Sequence, residues 1–322
     1  MATVQAGWLA IFLVILIIVT VLLLVLFPCY VYVNKVNRRR DEMMPVFPIT
    51  NHFYEMVKVT YVLFTILVAT FCLFNLFADV DCAFLSLLSV FLAFLTFMAL
   101  HSVTQVFHLL TSILAIQKSL IYFFPSLESY VALSHRKMIQ VIKVVHYTFG
   151  AKEGISVFLF FLFLFTGQER FFKLQEGYFF VYLSLNIFLI MSSFLYIPIM
   201  ISIKKFSHLP MSRINQPQKY IFWQTMIILM FKSITLPAGL IMIYHDSSIF
   251  EILLLMTTSD IIITPLMIQL SYLCCNRRNM DTVLVSFELT KFIRTVFNIQ
   301  LLRTGKVKPL PSRTLTAGAI PL

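Results

Sequence analysis

Seven stretches of this chain are apolar, nearly free of charge and about as long as a bilayer is thick. They cover residues 8–33, 59–78, 85–122, 141–166, 178–203, 221–244 and 249–273. A helix needs ~20 apolar residues to cross a ~30 Å hydrocarbon core. Inside lipid every backbone polar group must be satisfied within the chain, which leaves helices or closed barrels. Runs this long and continuous select helices. Composition agrees, since mean hydropathy is +0.90. Only 12% of the 322 residues are charged, too few to coat a soluble domain of this size. The expected fold is an all-α membrane protein, a seven-transmembrane helix bundle over residues 1–278.

Two of the runs need comment. The third has 38 residues, ~57 Å as a helix at ~1.5 Å per residue; it must tilt, project into water or break. The fourth is strongly apolar only over 155–166. Its lead, 138–152, carries Lys143 and Lys152 and reads either as a surface segment or as the first half of the span. The first run is followed at once by Lys35 and Arg38 to Arg40, which marks a span held at that end rather than a cleaved leader.

Basic residues decide the expected orientation. With the N-terminus outside, 22 of the 25 Lys and Arg fall in the inner loops, their flanks and the tail, counting Lys118, Lys143 and Lys152 with the second inner loop. Arg170 and Lys173 fall outside, and Lys232 falls within a span. That bias follows the positive-inside rule. It also explains the net charge of +11 without nucleic acid, because the basic residues are interleaved with apolar runs. Beyond the seventh span, residues 279–298 are expected to form an amphipathic cytoplasmic helix. Val285, Leu289, Phe292, Ile293 and Val296 share one face from 281 onward, suited to lying on the inner leaflet. Residues 299–322, rich in Pro, Gly, Ser and Thr, are expected to be a disordered cytoplasmic tail.

The candidate functional residues lie inside spans, where charge is costly. Lys232 is midway along the sixth span and Asp260 midway along the seventh. These spans are antiparallel neighbours joined by a short turn, so the two residues can form a buried ion pair that fixes helix register or contacts a ligand. His101, Gln105 and His108 line the third span, and the two histidines lie ~10 Å apart along the axis, too far to share a metal ion. The candidate small-molecule pocket comprises His101, Gln105, Lys232, Thr257 and Asp260. Pro198 and Pro237 are expected to interrupt and kink the fifth and sixth spans. Of five cysteines, Cys82 has no second outer partner, so no structural disulfide is expected. Cys274 and Cys275 sit where palmitate can be attached. No Asn-x-Ser/Thr sequon occurs. Hydrolase, phosphate-loop and His-x-x-x-His patterns are missing, so neither an enzyme, a cofactor nor a metal is expected.

Four stretches carry a resemblance: 27–42 (FPCYVYVNKVNRRRDE), 53–61 (FYEMVKVTY), 109–125 (LLTSILAIQKSLIYFFP) and 265–279 (PLMIQLSYLCCNRRN). Together they resemble the serpentine receptor class Z (Srz) family of nematode chemoreceptors, across all seven spans. The resemblance implies a chemosensory G-protein-coupled receptor of the plasma or ciliary membrane. Its partners would be the bilayer, a small-molecule stimulus and a heterotrimeric G protein. The exit of the third span is also similar to that of rhodopsin-like receptors. Gln117-Lys118-Ser119 stands where those have an acidic–Arg–aromatic triplet, and Pro125 keeps the matching distance. Gln117, Lys118 and Pro125 are therefore the candidate coupling residues. The alternative is a transporter or channel subunit using the intramembrane Lys, Asp and His residues, although no internal repeat supports a duplicated transporter.

Overall fold

The computed structural model describes residues 2–42, 47–79, 83–131, 135–166, 170–205, 216–244, 248–274, 277–284 and 296. Seven long helices form the bundle: α1 (Ala2–Asp41), α2 (Phe47–Asp79), α3 (Ala83–Phe123), α5 (His135–Thr166), α6 (Arg170–Lys205), α7 (Gln216–Tyr244) and α8 (Ile249–Cys274). Two short helices, α4 (Glu128–Val131) and α9 (Arg277–Leu284), complete the elements described, with a 3-10 turn over Pro125–Leu127 between α3 and α4. No strand occurs among the described residues. Among the described residues, six of the long helices hold a stretch apolar enough to cross a membrane. The remaining long helix, α5, carries Lys143, Lys152 and Glu153 ahead of its apolar end.

Successive long helices alternate in direction. One end of the bundle therefore gathers the finish of α1, α3, α6 and α8 with the start of α2, α5 and α7. Because α1 finishes on Arg38, Arg39 and Arg40, this is called the basic end below. Hydrogen bonds there tie distant segments. The Tyr272 hydroxyl donates to Asp41 Oδ2 at 2.7 Å. Asn37 Nδ2 donates to Asn279 Oδ1 at 2.9 Å, and Asn279 Nδ2 to the Tyr272 carbonyl at 2.7 Å.

The long third run does not break. Helix α3 is a continuous 41 residues, about 62 Å long, so it tilts or projects. Its first half is widely exposed, with Phe84 at 74% and Leu87 at 69%. From Leu100 to Ser119 it is mostly buried and serves as the central strut. Thr104, Ser112 and Ser119 return their hydroxyls to the carbonyl four residues back, the usual way for a polar residue to sit in a helix without water.

Pro198 and Pro237 were expected to interrupt their spans, but α6 and α7 run through them, as α1 and α8 do through Pro28 and Pro265. In a packed bundle neighbouring helices and local adjustment accommodate the lost backbone donor.

The apolar core lies toward the basic end. Tyr30, Phe53, Phe107, Leu189, Tyr196 and Ile228 are fully buried in it. Phe53 and Phe107 meet edge-on at 4.9 Å and Tyr30 and Tyr272 at 5.3 Å. Lipid tails are as apolar as leucine, so contact between close-packed surfaces, rather than exclusion from water, holds such a core. Of the amphipathic helix expected over 279–298, Asn279 to Leu284 end α9; residues 285–295 and 297–322 lie outside the described residues, as do Cys82 and Cys275.

Candidate functional site

Helix α8 begins with a reciprocal cap. The Glu251 N–H donates to Ser248 Oγ at 3.2 Å, and the Ser248 N–H donates to Glu251 Oε2 at 3.3 Å. This Ser-x-x-Glu box fixes where the helix starts, and hence the depth at which Asp260 projects. On the antiparallel α7, Gly239 permits close approach. A Cβ built there would lie 2.9 Å from Met256 Sδ on α8, and small residues at helix interfaces bring backbones together in this way.

Two turns from that contact, Lys232 Nζ lies 2.6 Å from both Oδ1 and Oδ2 of Asp260. Their side chains are only 3% and 7% exposed. The Tyr182 hydroxyl on α6 donates to Asp260 Oδ2, and Lys232 Nζ lies 5.7 Å from the Tyr182 ring centre. Lys232 and Asp260 thus form the ion pair expected from the sequence, with a third helix attached. Removing one partner of such a pair costs ~3–5 kcal/mol, because the other charge is left uncompensated.

A second polar cluster adjoins it. Lys152 Nζ donates to Gln105 Oε1 at 2.7 Å and lies 2.9 Å from Glu153 Oε1. The Tyr178 hydroxyl lies 2.9 Å from both Glu153 carboxylate oxygens and 3.2 Å from His101 Nδ1. Gln105 Nε2 lies 2.7 Å from His101 Nε2. One proton assignment satisfies the whole ring. Gln105 donates to His101 Nε2, His101 Nδ1–H donates to Tyr178, and Tyr178 donates to the Glu153 carboxylate. Lys152 also lies 4.4 Å from the Tyr178 ring centre, within reach of a cation–π contact. Tyr178 and Tyr182 stand one turn apart on α6, and the His101 ring is 5.9 Å from each. His101 therefore joins the two ion pairs into one network spanning α3, α5, α6, α7 and α8. Further along the same face of α3, His108 Nε2 lies 3.3 Å from Thr264 Oγ1.

Of the five candidate pocket residues, the structure brings four together: His101, Gln105, Lys232 and Asp260. Thr257 is buried one turn along α8 from Asp260, but its hydroxyl has no hydrogen-bond partner among the described residues. Sequence reasoning missed Glu153, Tyr178 and Tyr182 and misplaced Lys152. The positive-inside count places that lysine on the inner flank, yet it stands roughly midway along α5 in the network. A charged pair lodged between apolar runs was the available signal.

The coupling candidates sit at the basic end of α3. Gln117 is buried, and its Nε2 donates to the Val131 carbonyl at 3.0 Å, tying the strut to α4. Lys118 is half-buried. Pro125 opens the exposed 3-10 turn, a position where its missing N–H is no loss. Cys274, the last residue of α8, is an exposed free thiol.

Residues 13–277, from α1 to the start of α9, match the family model described as serpentine type 7TM GPCR chemoreceptor Srz. No curated protein and no solved structure matches. The family is one of receptors rather than of enzymes, and the transporter or channel reading is not favoured. With most of its length matched, the chain belongs to the Srz family of nematode chemosensory G-protein-coupled receptors, multi-pass proteins of the membrane.

Proposed function

We propose that the joined ion pairs are the sensing centre of the receptor. The observation that carries this reading is the continuity of the network: paired charges, one histidine and two tyrosines link five helices at mid-depth. A small molecule that bonds any member better in one packing of the bundle than in another shifts the population toward that packing. Its largest leverage is at Lys232 and Asp260, where a buried contact is exchanged rather than a solvated one.

The remaining parts of the proposal follow the charge bias. The N-terminus faces outside and the basic end lies in the cytoplasm. Stimulus enters from the opposite end, and the turn at Pro125 with Gln117 and Lys118 behind it meets a heterotrimeric G protein. Thr257, with its unengaged hydroxyl, completes the pocket. Cys274 accepts a lipid anchor beside α9, and the receptor works in the ciliary membrane of a sensory cell.

The test is expression in cells carrying a promiscuous G protein, screened with a panel of small odorants. At matched surface level, Asp260→Asn and Tyr182→Phe are expected to shift the effective stimulus concentration more than tenfold, and Lys118→Ala to lower the maximal response. Unchanged dose–response curves in both network variants would remove the network from sensing. A stimulus-evoked current that persists without G protein would instead favour a channel.

A further inference from the structure

A different pair of side chains bridges α2 and α5 nearer the basic end. His52 and His146 come from positions far apart in sequence, yet their ring centres lie 5.0 Å apart with planes at 81°. His146 Nδ1 lies 2.9 Å from the Ile142 carbonyl. A carbonyl can only accept, so Nδ1 carries the proton and Nε2 keeps the lone pair. On the other ring, His52 Nε2 is buried with no hydrogen-bond partner among the described residues.

We propose that His52 and His146 form a two-imidazole site for a first-row divalent cation, Zn²⁺ foremost. Three features carry this. Imidazole nitrogens bind zinc at ~2.0–2.1 Å, and tetrahedral geometry then sets two ring centres about 5 Å apart, the separation found. A metal-ligating histidine usually donates its other N–H to a carbonyl or carboxylate, which fixes the tautomer; His146 already does so with Ile142. The unengaged His52 nitrogen supplies the second donor. Glu55, one turn along α2, has its carboxylate 2.6 Å from Lys58 Nζ and is largely exposed. Its carboxylate is engaged there, so water completes the shell around the two imidazoles. No cluster of three or more His, Cys, Asp or Glu with metal-site geometry exists among the described residues, so this is a bridging site between two helices and not a closed structural cage. Imidazole donors favour Zn²⁺, Cu²⁺ and Ni²⁺ over Mg²⁺ and Ca²⁺. A bound ion would staple α2 to α5, independently of any stimulus in the polar network.

The experiment titrates Zn²⁺ into the full chain in detergent micelles against a chromophoric chelator, with Mg²⁺ as control. One Zn²⁺ per chain is expected, with affinity falling at least tenfold in His52→Ala and in His146→Ala and little changed in Glu55→Gln. Zn²⁺ should raise the Tm of the wild type and leave both histidine variants unmoved. Should either variant fail to fold, electron paramagnetic resonance of Cu²⁺ on the wild type decides the matter: hyperfine splitting from two nitrogens supports the site. No Zn²⁺ binding, equal binding in wild type and variants, or a Cu²⁺ signal with fewer than two nitrogens would overturn it.

Discussion

The two ion pairs of the network differ in what they hold together. Lys232 and Asp260 are 28 residues apart in sequence, on separate helices, and both are almost completely enclosed. Lys152 and Glu153 are sequence neighbours on one helix, and Lys152 remains 24% exposed. The first pair cannot form until α7 and α8 have docked, so its attraction is spent on the relative position of two helices. The second exists within α5 alone and becomes a tertiary contact only through Gln105, Tyr178 and His101. Near the basic end, Arg38–Glu42 and Lys58–Glu55 are exposed local pairs, worth only a few tenths of a kcal/mol. Coupling between helices thus follows from burial and sequence separation, not from the number of ion pairs.

The largest expected effect belongs to the cross-helix pair. Lys232→Ala or Asp260→Ala should cost ~3–5 kcal/mol and deplete surface-labelled receptor. The exchanged double variant, Lys232→Asp with Asp260→Lys, should recover part of the loss. Equal levels in all three would break the distinction drawn between the pairs. Next comes Tyr178→Phe, which leaves both ion pairs but removes the hydroxyl between His101 and Glu153. A loss of ~1–3 kcal/mol is expected in thermal unfolding of the purified protein, the cost of leaving a buried group unsatisfied. Ser248→Ala removes half of the cap on α8 and should cost ~1 kcal/mol by the same measurement. Arg38→Ala is the smallest, expected within ~0.5 kcal/mol of wild type. A loss there comparable to that of Lys232→Ala would show that exposure does not separate these pairs.

The sequence made some of this legible. Apolar run length located the long helices, and a charge midway along each of two adjacent spans identified Lys232 and Asp260. Lys152 misled because positive-inside counting treats a lysine near a loop as a flank, and α5 has only a short strongly apolar part to mark where the span lies. Glu153 was hidden beside it. Tyr178 and Tyr182 look like ordinary aromatic residues at a span entrance; only the facing of α6 toward α3 and α8 reveals their hydroxyls as links. Pro198 and Pro237 stand inside continuous helices for another reason. A local propensity against helix yields when packing and the absence of water leave no better conformation.

The central claim is that both ion pairs act as one unit through His101 and the two tyrosines. A double-mutant cycle between Glu153→Gln and Asp260→Asn, read as thermal unfolding of the purified receptor, tests it most directly. A single unit predicts a coupling above ~0.5 kcal/mol that falls when Tyr178 and Tyr182 are both phenylalanine. Additive losses, within ~0.3 kcal/mol, would mean two separate ion pairs that happen to be neighbours.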